Sequence, residues 1–146
     1  MAMPDLGSCC SDGTHPCVFA KALFAHEAHC ALARRESVGE RAVVECSSPP
    51  ARLNCGMLAA LLRERSRFVL RLPPEGRPLL HQQSLRLQCG GLAALQAALG
   101  AARCDVHELV GDAQRRHGSL TELPWADLVA QVAVWAPRRR RPATRP

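Results

Sequence analysis

The sequence predicts a mainly α fold with a small two-stranded β element, a single domain of several helices around a cysteine-lined site. Apolar residues recur at helical spacing along most of the chain, and only two short stretches alternate apolar with polar. A hydrophobic fraction of 47% over 146 residues is enough for one core.

The first 14 residues, Gly- and Ser-rich around Cys9 and Cys10, read as a flexible segment before a domain spanning 15–136. Pro16 has the fixed φ of a first helical turn, and Phe19 and Leu23 begin a helix expected to reach about Arg35 and close at Gly39. Arg41 to Cys46 reads as a short strand. Pro50 opens the next helix, with Leu53, Met57, Leu58, Leu61 and Leu62 as its apolar stripe. In residues 67–72, Phe68, Leu70 and Leu72 share one face with Arg67 and Arg71 on the other and predict a second strand, which Pro73-Pro74 and Gly76 end.

Leu79 to Leu87 fits helix and strand equally, whereas Leu92, Leu95 and Leu99 predict a helix that Gly100 stops. Asp105 is an N-cap residue with Glu108 three positions on, the start of a helix burying Val106, Leu109 and Val110. A last helix over about Glu122 to Trp135 tolerates Pro124 in its first turn and turns Leu128, Val129, Val132 and Trp135 inward. Residues 137–146, an arginine block among prolines, read as a disordered tail.

The net charge is +6, and Arg138, Arg139, Arg140, Arg141 and Arg145 account for five of those units, so the body of the chain is nearly neutral. The tail offers a contact for a polyanion or an acidic partner. No Tyr and few other aromatics leave little for base stacking, and no zinc-finger or helix-turn-helix pattern occurs. No apolar run reaches the roughly 20 residues of a membrane span, and the first residues lack the basic and apolar regions of a secretory signal. The expected compartment is a reducing cytoplasm, where cysteines serve metals or redox chemistry more than structural disulfides.

Eight cysteines stand at positions 9, 10, 17, 30, 46, 55, 89 and 104. The adjacent Cys9 and Cys10 cannot readily face one metal together, and Cys104 before the Asp105 cap reads as a small hydrophobe. Cys17, Cys30, Cys46, Cys55 and Cys89 remain, separated by 12, 15, 8 and 33 residues. Zinc modules present thiolates in close pairs on tight knuckles, and no such pair occurs among these five. Thiolates arriving singly suit a [4Fe–4S] cluster, one per iron. Cys30, Cys46, Cys55 and Cys89 are the expected ligands, with Cys17 as the alternative fourth. Cys89 ranks above Cys17 because Gly90-Gly91 would let the backbone approach inorganic sulfide closely.

The expected function is therefore electron transfer to a protein redox partner, or redox or oxygen sensing. A structural zinc adaptor recruiting His26 or His29, and a metal-free helical interaction protein with a basic tail, are the alternatives. His26 and His29 are three apart rather than four, which excludes the zincin helix. Nucleophile-elbow, phosphate-loop and dinucleotide motifs are missing, so independent catalysis is not expected.

Overall fold

The computed structural model describes residues 15–137. The expected flexible segment with Cys9 and Cys10, and the arginine block Arg138–Arg141, lie outside the described residues.

The first helix is far shorter than its pattern promised. Helix α1 spans only Ala20–Phe24, burying Ala22 and Leu23. His26 takes a left-handed φ of +57°, which a helix cannot accommodate, and the chain leaves the helical path there. Residues 33–38, expected to complete that helix, instead form strand β1 (Ala33–Val38), antiparallel to β2 (Arg41–Cys46) with Val38 opposite Arg41 and Ala33 opposite Cys46. The loop is therefore Gly39-Glu40, and Gly39, at φ +63°, supplies the positive φ that a two-residue hairpin loop requires. Gly39 thus turns a hairpin where the sequence pattern suggested a helix cap. Val44 alone on this hairpin is fully buried, so β2 rests on the core and β1 faces water.

Helix α2 (Pro49–Ser66) starts as expected, with Pro49 and Pro50 in the first turn and the Ser48 hydroxyl accepting the Ala51 N–H. Its buried stripe is Ala51, Leu58, Leu62 and Ser66, with Cys55 half-buried between. Leu53 and Met57 were expected to face inward, yet they are 73% and 52% exposed. The expected strand over 67–72 is also overturned. The Leu70 N–H reaches Ser66 O and the Leu72 N–H reaches Arg67 O, both at 2.9 Å, so the segment coils off the end of α2. Among the described residues the only sheet is the two-stranded hairpin, so this segment has no ladder to join.

The ambiguous stretch is helical. Helix α3 (His81–Leu85) runs through a π-turn at Arg86–Gly90 into α4 (Gly91–Leu99), which Gly100 ends in the left-handed conformation. Helix α5 (Val106–His117) has Asp105 as its N-cap, its carboxylate accepting the Glu108 N–H at 3.1 Å. A short 3-10 turn at Leu120–Glu122 precedes α6 (Trp125–Val134), and Pro124 stands just before α6 rather than inside it. The buried Trp125 donates its indole N–H to Leu120 O at 3.1 Å, satisfying its one polar atom.

Helix α4 is the centre of the packing, in contact with α5, α6 and the π-turn, while α2 covers α5 and α6. Leu58, Leu62, Leu92, Leu95, Leu109, Leu128 and Val132 fill the space between them. A Cβ on Gly91 would stand 2.6 Å from Leu62 Cδ1, and one on Gly90 3.0 Å from Trp135 Cβ, so the glycine pair admits close helix contact. The pair expected to admit inorganic sulfide beside Cys89 instead packs against Leu62 and Trp135. Among the described residues no helix is long and apolar enough to cross a membrane.

Candidate metal centre

Four of the five expected ligands line one small pocket: Cys17, Cys30, Cys46 and Cys55. Each comes from a different local structure. Cys17 lies before α1, on a segment bound to β2 through Cys17 N–H to Val44 O at 2.9 Å and Cys46 N–H to His15 O at 2.8 Å. Those two bonds set Cys17 beside Cys46, the last residue of β2. Cys46 Sγ donates to Ser48 O at 3.2 Å, at the entry to α2, and Cys55 lies on that helix one turn beyond the buried Ala51.

Cys30 is held from the opposite side by α5. The His29 N–H reaches Cys104 O at 3.0 Å and the Val106 N–H reaches His29 O at 2.9 Å, a short parallel bridge between two loops. The Asp105 carboxylate completes it, accepting the Ala31 N–H on Oδ2 at 3.0 Å while capping α5 with Oδ1. The carboxylate thus anchors Ala31 and the start of α5 together, while backbone bonds hold His29 on the other side of Cys30. The Asp105 cap was evident in the sequence; its grip on Cys30 was not, because 74 residues separate Ala31 from it.

Val18, Leu32, Ala33, Ala51 and Val106 wall the pocket, and Arg52 and His107 are its other polar residues. Arg52 donates from Nε to Pro16 O at 2.9 Å, which keeps its guanidinium beside Cys17. The thiols respond to burial and to one another. Burial raises Cys55 to about 12, and the neighbouring Cys30, Cys17 and Cys46 add to the rise. Cys17 is raised by burial as well, with Cys30 and Cys46 contributing and Arg52 opposing. Without a cation Cys17 and Cys55 hold their protons; a metal would reverse that, since it deprotonates the sulfurs it binds.

Cys89 does not line the pocket. It is buried on the π-turn, and Cys104 and Glu27 are the charged or ionisable groups that act on it. Burial first, then Glu27 and Cys104, raise Cys89 to about 11; burial, Asp105 and Glu27 raise Cys104 to about 11. His26 and His29, the expected partners of a zinc site, are exposed and do not line the pocket either.

The space between the four thiols is small, about 10 Å³, room for one water. Among the described residues no group of three or more His, Cys, Asp or Glu side chains is arranged to hold a metal ion as it stands. The thiols therefore share a pocket without closing to the spacing of a tetrahedral zinc site, whose bonds of about 2.3 Å bring the sulfurs within roughly 4 Å of one another. No family model, curated protein or solved structure matches this chain.

Proposed function

We propose that Cys17, Cys30, Cys46 and Cys55 ligate a [4Fe–4S] cluster, and that the protein moves single electrons or responds to redox state or oxygen. The observation that carries this reading is the delivery of four thiols, one each from a loop, a turn, a strand end and a helix, to one apolar pocket. A cubane offers one iron to each thiolate and tolerates such wide delivery, whereas a single ion is normally served by paired knuckles. When bound, the cluster would supply a one-electron couple. Arg52, beside Cys17, would face its negative charge, and the apolar walls would limit water, two influences on potential.

A structural zinc centre on the same four cysteines is the second reading, favoured by the smallness of the gap. In either case the chain holds the metal in a reducing compartment, and a redox partner is required only by the first. Anaerobic purification with iron, zinc and acid-labile sulfide counted per chain tests both. Iron and sulfide near four per chain, with visible charge-transfer absorption that dithionite bleaches, is the expected result. One zinc and no sulfide would replace the cluster by the adaptor reading, and a metal-free protein from reducing, metal-replete medium would overturn both.

A further inference from the structure

Away from the thiols, the coil after α2 presents its apolar residues to solvent rather than to the core. Phe68 is 89% exposed and Val69 55%, held outward because Leu72 turns back into the core and Arg71 accepts a left-handed φ of +51°. That conformation is strained for a residue with a side chain, so the turn is imposed by its surroundings. Across from it, the end of α6 exposes Val134 at 80%. A groove of about 310 Å³ lies between these two edges, lined by Val69, Leu70, Ala133 and Trp135 and bordered by Arg71 and Arg86.

The charge around this groove has one sign. Arg71 and Arg86 are its charged residues, Arg86 also donating from Nη1 to Ala133 O at 3.2 Å, and no acidic residue lines it. Aromatic and arginine side chains around a concave apolar floor are what protein hot spots use, and uncompensated cations select a partner of opposite charge. Scattered exposed apolar residues need no explanation, but Val69 lines this groove, and Phe68 and Val134 adjoin its lining residues Val69 and Ala133 in the chain. We propose that this groove docks an amphipathic acidic segment of a partner protein, its apolar side chains against Val69 and Trp135 and its carboxylates toward Arg71 and Arg86. The concave floor favours inserted side chains over the flat surface of a bilayer. This inference is independent of the metal centre.

The test uses the full-length protein and a labelled short peptide of Leu, Phe, Asp and Glu, read by fluorescence anisotropy. Binding should weaken with added salt, and Val69→Ser and Arg71→Glu, both in residues that line the groove, should each weaken it about tenfold or more, the loss expected of a hot-spot residue. Both side chains are exposed, so circular dichroism and melting temperature should not change. The proposal fails if the wild-type protein does not bind the peptide, if both variants bind it unchanged, or if a Lys/Arg counterpart binds equally well. It also fails if phosphatidylserine vesicles or a single-stranded oligonucleotide bind through Val69 and Arg71 while the peptide does not.

Discussion

Cys17, Cys30, Cys46 and Cys55 meet where a loop, a turn, a hairpin and a helix end come together, whereas Cys89 and Cys104 lie against the helical core with Glu27 beside them. Burial raises the pKa in both places, to about 12 at Cys55 and about 11 at Cys89. The difference lies in the neighbours. At Cys17 and Cys55 the charged neighbours that add to burial are other thiols, which a shared cation would relieve at once; at Cys89 and Cys104 a carboxylate takes part, and helix packing already accounts for the site. Raised pKa values alone therefore do not separate the two regions; lining one pocket does.

The largest effect that divides the two regions is on metal. Single Ser substitutions at Cys17, Cys30, Cys46 or Cys55 should each abolish stable cluster incorporation, measured as iron and sulfide per chain after anaerobic purification. Cys89→Ala and Cys104→Ala should retain the wild-type content. Alanine is the better probe at Cys89, since a serine hydroxyl left unpaired in that buried site would itself cost about 1–3 kcal/mol. Loss of metal in Cys89→Ala with an intact fold would erase the distinction drawn between the regions.

Much of the helical scaffold was visible in the residues, and the particular successes have local causes. Ser48-Pro49-Pro50, Asp105 with Glu108, and Gly100 are signals that act within one turn, and the helices they bound begin or end where those signals stand. The two failures share a different cause. Residues 33–38 and 67–72 each carry a weak local pattern, and what decides them is partnership: Ala33–Val38 found β2 to pair with, while 67–72 found no strand and coiled. The candidate site divides in the same way. Spacing and the lack of paired knuckles grouped Cys30, Cys46 and Cys55, which do line one pocket, but could not tell that Cys17 rather than Cys89 lines it with them. That depends on the His15–Cys17 segment binding β2, and on Gly90-Gly91 packing against Trp135 and Leu62. Glycines flanking a cysteine look alike in sequence whether they admit a cluster or a neighbouring helix.

That packing role is itself open to test, and its effect should fall on stability alone. Gly91→Val places methyl groups where Leu62, itself buried, already stands, and should cost about 2–3 kcal/mol by urea denaturation. Metal content per folded molecule should stay at the wild-type value. A variant that folds normally but loses iron would return the glycine pair, and with it Cys89, to the metal region.

Asp105 connects the two regions, because it caps α5, clamps the Cys30 segment and lies beside Cys104. Asp105→Ala removes the cap and leaves the Ala31 N–H without its acceptor, together about 2 kcal/mol of stability. Metal occupancy should fall as well, because Cys30 loses one of its tethers while its sulfur is untouched. Asp105→Asn, which keeps an acceptor for the cap, should recover most of the stability. If metal content is unchanged in Asp105→Ala, the clamp plays no part in presenting Cys30.

The smallest separation is in alkaline stability. A thiol whose pKa is raised on folding keeps its proton to higher pH than the unfolded chain does, so it contributes nothing to pH dependence below about 9 and destabilises the fold as pH climbs from there toward the folded value. For Cys89 and Cys104 that window runs from 9.0 to about 11, and for Cys55 to about 12. One unit into it, each thiol should account for about 1 kcal/mol. The background is quiet, since the chain has no Tyr and a single Lys. In the metal-free protein both regions contribute to this loss. Loading the metal should remove the share of the four-thiol pocket, whose sulfurs are then already thiolates, and leave that of Cys89 and Cys104. Urea midpoints at pH 8 and pH 10 on metal-loaded protein should therefore differ in the wild type and converge in the Cys89→Ala, Cys104→Ala double variant. Persistence of the difference in that variant would mean that some group other than these two thiols carries the alkaline sensitivity, and the helical region would lose its part in the comparison.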